Sequence, residues 1–129
     1  MSSNIREFNQ IISKIAKTLP EEAIVPFQQK IVFDVFSGAV EDTRVRTGRA
    51  RGGWQVGLDE IPTGPGTKSK TGDGTKKRAQ ARLSKLKAWQ IVYIANNVEY
   101  IIFLEEGTDK RPGDHMLELS LIRVAISNL

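Results

Sequence analysis

Two stretches of the chain concentrate the side chains best suited to meeting a charged partner. Arg44, Arg46, Arg49 and Arg51 fall within eight residues that hold no acid. Lys68, Lys70, Lys76, Lys77, Arg78, Arg82, Lys85 and Lys87 fall within residues 66–88 against a single acid, Asp73. These segments carry +4 and +7, and since the whole chain is +4, everything else balances at −7. Guanidinium groups are rigid forks that match carboxylates and phosphates, whereas lysine ammonium groups are hydrated point charges on flexible stems. Such asymmetry points to a polyanion or to an acidic partner surface. The plainer alternative is a turn with solvated arginines, because charge runs usually face water. No aromatic residues interleave with the lysines to stack on bases, and neither helix-turn-helix nor zinc-finger spacing is present. The basic segments therefore supply a field and do not read a sequence.

Little else in the chain is equipped for catalysis. There is no cysteine, which removes disulfides, thiolate zinc sites and thiol nucleophiles. His115 is the only histidine, without a nucleophile in any motif near it, and a capping or packing role is expected for it. The GPG and GDG triplets of residues 64–74 lack the context of a phosphate-binding loop. Glu105-Glu106 forms an acidic pair suited either to solvation or to a neighbour's arginines. We expect no enzyme, no cofactor and no metal site. No stretch approaches the ~20 apolar residues of a membrane span, and MSSNIREFNQ has neither the apolar core nor the cleavage site of a secretory signal.

A single domain covering 1–129 suits this length. Ile5, Phe8, Ile12, Ile15 and Leu19 recur at three- and four-residue spacing, which predicts an amphipathic helix capped by Ser2 or Ser3 and stopped by Pro20. A second helix is expected from Pro26 to about Asp42, with Ile31, Val32, Val35, Phe36, Ala39 and Val40 on its apolar face. Trp54, Val56 and Leu58 alternate as in a strand. Residues 59–75 hold four glycines and two prolines with almost no large apolar groups, so a mobile loop is expected, with 60–75 poorly ordered. A basic helix follows from Lys76 to Lys87, then a strand from Trp89 to Ala95. Trp54 and Trp89 are expected to anchor the core. After Asn96-Asn97 the chain fits either a hairpin with Val98 to Leu104 as the return strand or a short helix ending at Gly107 in a left-handed cap. A last helix, capped by Asp114, runs to Leu129 and is apolar on nearly every side, as if covered by a neighbouring subunit. The expected fold is α+β: long N-terminal helices, a small mixed sheet, the basic helix after the loop, and the apolar C-terminal helix.

Two stretches go further than periodicity. Arg46-Thr47-Gly48-Arg49-Ala50-Arg51-Gly52-Gly53-Trp54-Gln55-Val56 resembles the T-G-R-x-R-x-x-W passage of the neck and tail-completion proteins of long-tailed phages. Asn97 through Thr108, with Pro112-Gly113 and Met116, is similar to that family's N-x-x-x-Y-x-x-x-L-E-x-G-T … P-x-x-M ending. The likeness spans roughly residues 27–125. It departs at Arg44-Val45, where the family usually has proline, and at Glu106, where it often has an aromatic residue.

The resemblance implies a short helix at Val98–Glu106 and a structural virion protein of the neck, assembled in the host cytoplasm. Its partners would be copies of itself in a hexameric or dodecameric ring, head-closure or connector proteins, tail-terminator or tail-tube proteins, and genomic DNA held non-specifically in the channel. On this reading Lys68, Lys70, Lys76, Lys77 and Arg78 face the DNA. Arg46, Arg49, Arg51, Glu105, Glu106, Leu117, Leu121 and Val124 meet neighbouring protein. The rival from another class is a stand-alone, non-specific nucleic-acid-binding protein that uses residues 66–88 as its footprint.

Overall fold

A computed structural model describes residues 10–15 and 17–127. Residues 10–15 are helical, and the chain turns before Pro20, whose backbone is extended (φ −65°, ψ 153°). Ile12, from the expected amphipathic stripe, packs against a cluster of Ile31, Val35 and Val124. Ile5, Phe8 and the caps expected at Ser2 or Ser3 lie outside the described residues.

After one 3-10 turn at Glu21–Ala23, helix α1 spans Ile24–Asp42. It begins slightly ahead of Pro26, which sits in the first turn, where a missing N–H breaks no intrahelical bond. Its predicted stripe becomes the spine of the core, with Phe36, Ala39 and Val40 fully enclosed. The C-terminal helix, α5 (Met116–Ser127), lies close along α1. Gly38 permits this approach: a Cβ there would stand 2.2 Å from the Ser120 Oγ. That buried hydroxyl in turn donates to the Val35 carbonyl at 2.7 Å.

The rest of the fold is built around the other flank of α1. A single helical turn, α2 (Arg49–Gly52), leads into strand β1 (Trp54–Leu58), which pairs antiparallel with β2 (Val92–Asn96). Trp54 faces Asn96 and Leu58 faces Val92 across this pair. Helix α3 (Asp73–Leu83) packs against both α1 and β1 through Thr75, Ala79 and Leu83. A short helix, α4 (Ile101–Glu106), is followed by a tiny hairpin of β3 (Gly107–Thr108) and β4 (Arg111–Pro112). The domain is α+β, as expected. Its strands form two separate antiparallel pairs, however, and not one mixed sheet.

Several boundaries differ from expectation for identifiable reasons. The basic helix runs over 73–83 and not 76–87, because Gly72 adopts a left-handed φ of +86° and its N–H is taken by the Ser69 hydroxyl. Strand β2 starts at Val92 and not at Trp89. Trp89 itself has φ +63° and is 58% exposed, so only Trp54 of the two tryptophans anchors the core. The two asparagines do not turn a hairpin. The Asn96 amide donates to the Ala50 carbonyl while its oxygen accepts Val98 N–H, and the Asn97 amide donates to the carbonyls of Pro62 and Gly64. Helix α4 does stop at Gly107, but with φ +90° and ψ −178°. That is a glycine-only extended form, not the left-handed cap.

Candidate functional site

The loop between β1 and α3 determines how the two basic segments relate. Its side chains offer no apolar anchor, yet its backbone is fastened onto α2. Thr67 N–H donates to the Gly52 carbonyl at 3.2 Å and Ser69 N–H to the Gly48 carbonyl at 3.0 Å. At its start, the Gln55 amide donates to the Gly64 carbonyl at 2.6 Å. The contact is too close for any side chain, since a Cβ on Gly52 would lie 1.8 Å from the Thr67 oxygen. The loop is thus a strap whose anchors are peptide groups, a kind of attachment that hydrophobic patterning does not register.

Because the strap lies on Gly48–Gly52, the arginine segment and the lysine segment adjoin on one surface. The cations on it are not equivalent. Arg51 is an internal strut: its guanidinium donates to the carbonyls of Thr43, Glu41 and Lys70. Arg78 reaches the Gly52 carbonyl at 3.2 Å, and Lys76 pairs with Glu41. Arg49 stands over the Tyr100 ring, 5.8 Å from its centroid, and 3.7 Å from the Glu99 carboxylate. Arg46, Lys68, Lys70 and Lys77 are exposed and have no side-chain partner among the described residues. Beside them, Arg78 and Arg82 line a polar cleft of about 100 Å³ with Gln55 and Thr75. The arrangement can attract an extended anion at several points, with Arg46 and the three lysines unpaired and Arg49, Arg51, Lys76 and Arg78 braced by contacts within the subunit.

The scaffold under this surface joins the two motif stretches. Thr43, 1% exposed, forms the node. Its hydroxyl donates to the Ala39 carbonyl at 2.6 Å, accepts the Trp54 indole N–H at 2.8 Å, and lies 3.2 Å from the Met116 sulfur. Asn96 bridges to Ala50, and Arg44 grips Asp114 through two hydrogen bonds of 2.7 and 2.9 Å. Those bonds to Asp114 hold the Arg44 proton more firmly than usual, raising its pKa.

Asp114 is therefore not the cap of α5. The cap is Glu105, whose carboxylate oxygens accept Leu117 N–H at 3.0 Å and Glu118 N–H at 3.3 Å. Thus Glu105 is engaged within the subunit, while Glu106 next to it is exposed. Of the residues expected at a subunit contact, Val124 is buried in the domain's own core. Leu117 and Leu121 are half-buried and line an open apolar groove of about 270 Å³ with Ile31, Val35, Val92 and Ile94. On the same helix, Leu119 and Ile126 are exposed in the single subunit.

Sequence reasoning missed one constellation. Glu105, His115 and Glu118 each place a potential ligand atom within 4.8 Å of the others. His115 stands directly before α5, its carbonyl accepting Leu119 N–H, while its side chain is about half exposed and its backbone has φ +48°. The available signal was the His-x-x-Glu spacing at the start of α5, but Glu105 joins it only through the fold. None of the described helices is long and apolar enough to cross a membrane. Comparison of the chain with known protein families, with curated proteins and with solved structures returned no match.

Proposed function

We propose that this chain is a non-enzymatic structural protein of the phage virion, a ring-forming component of the neck that joins head to tail and lets DNA pass through. One observation carries the reading. The two stretches that resemble neck and tail-completion proteins, far apart in the chain, are welded together at Thr43, Trp54 and Met116. The residues of the likeness thus serve the scaffold, as shared motif residues in a structural protein should. That scaffold presents unpaired surface cations and, separately, an open apolar groove, which fits a subunit that holds DNA loosely and meets a second copy.

Within this reading Lys68, Lys70 and Lys77 contribute the field felt by DNA, with Lys76 and Arg78 tethered behind them. Arg46 and Arg49 reach neighbouring protein, and Arg51 shapes the surface from within. Leu117 and Leu121 face a neighbouring subunit across the groove. Reversing Lys68, Lys70 and Lys77 to glutamate should impair DNA retention or ejection while rings still assemble and heads still join tails. Failure of the rings themselves to form in this variant would refute the assignment. Tight DNA binding by the isolated monomer, weakening by about 0.9 log units per log unit of salt for each phosphate contacted, would instead mark a free-standing nucleic-acid-binding protein.

A further inference from the structure

We propose that Glu105, His115 and Glu118 form a site for a borderline divalent cation, zinc above all, that clasps the end of α4 to the first turn of α5. The three side chains come from two elements joined by the β3–β4 hairpin, yet one ligand atom of each lies within 4.8 Å of the other two. His115 Nδ1 and Glu118 Oε2 are 3.3 Å apart, a separation that two ligands of one metal ion can share. One imidazole with two carboxylates is a donor set of the kind zinc accepts as three protein ligands with a fourth position open. Calcium and magnesium prefer six or more oxygen donors, which this trio does not supply.

The site is held in shape by groups that are not ligands. Glu105 is fixed by the N–H groups of Leu117 and Glu118, leaving lone pairs on both oxygens. The His115 backbone is pinned on both sides: its N–H donates to the Glu105 carbonyl at 3.0 Å and its carbonyl accepts Leu119 N–H at 2.8 Å. Arg44 is committed to Asp114. Two carboxylates beside one imidazole give a donor set that favours a cation. The start of α5 opposes a cation with only about half a unit charge. The His115 side chain is 47% exposed, which leaves an entry path. Bound metal would brace α4, a helix with no buried residue, and so fix the exposed Ile102 and Phe103 that it carries. This inference does not depend on the neck reading.

The chain is well suited to a clean test, because its single histidine and lack of cysteine leave zinc no competing strong ligand set. Untagged protein should be titrated with zinc chloride while the His115 ring resonances and the thermal midpoint are followed. We expect the ring signals to shift and saturate near one equivalent, with a rise in midpoint that calcium does not reproduce. His115→Asn retains a residue that tolerates positive φ and should abolish both effects. Glu118→Gln should weaken binding by roughly tenfold or more, and Glu106→Gln should change nothing. Unmoved ring signals in excess zinc, an undiminished response in His115→Asn, or an equal response to calcium would each overturn the proposal.

Discussion

Replacing Thr43 by valine should destabilise the protein by about 1–3 kcal/mol in chemical denaturation, because the buried Trp54 N–H then loses its acceptor. The shape is nearly unchanged, so the loss reports the hydroxyl and not a cavity. Stability equal to the parent would mean that the node is not a structural centre. Glu105→Ala should cost about 1 kcal/mol by removing the cap of α5, measured in the same way. Neither role was legible from residue types alone. Thr43 is an ordinary polar residue at a helix end, and Glu105 lies twelve positions before the amide it caps. Trp54 was legible because alternation around it placed it inward. Trp89 was not, because its left-handed backbone turns it out of the strand pattern.

At the scale of elements, periodicity served well wherever an apolar face exists. Helices α1 and α5 and strand β1 lie close to where their spacing puts them. It failed for the strap and the start of α3, where glycine conformation and peptide hydrogen bonds decide the path. Those forces leave no mark on a hydrophobic pattern. The strap yields a sharp expectation: Gly52→Ala forces its methyl group onto the Thr67 carbonyl. Trypsin should then cut at Lys68 and Lys70 faster in the variant than in the parent, with the rest of the domain intact by circular dichroism. Equal cleavage rates would show that the strap is not fastened to α2. The choice between helix and hairpin at 98–106 could not be made from the residues, since Asn96 and Asn97 suit either turn chemistry. Their long-range bonds to Ala50, Pro62 and Gly64 decide it in favour of the helix.

For the whole molecule, charge asymmetry was visible in the sequence, but the meeting of its two basic segments was not. Contact between them runs through the backbone of the strap. The unpaired lysines and the apolar groove then form two separate means of interaction, which variants can pull apart. Leu121→Asp places a charge in the groove and should reduce assembly size in mass photometry. It should also lower stability somewhat, since Leu121 packs partly on the domain's own core. Unaltered assembly would exclude the groove as a subunit contact. The proposal of a phage neck component is most directly tested by cryo-electron microscopy of virions purified from cells that produce this chain. The account predicts a closed ring of this protein at the junction of head and tail, with Lys68, Lys70 and Lys77 directed toward the DNA. Absence of the chain from the particle, or a ring with these lysines on its outer wall, would contradict it.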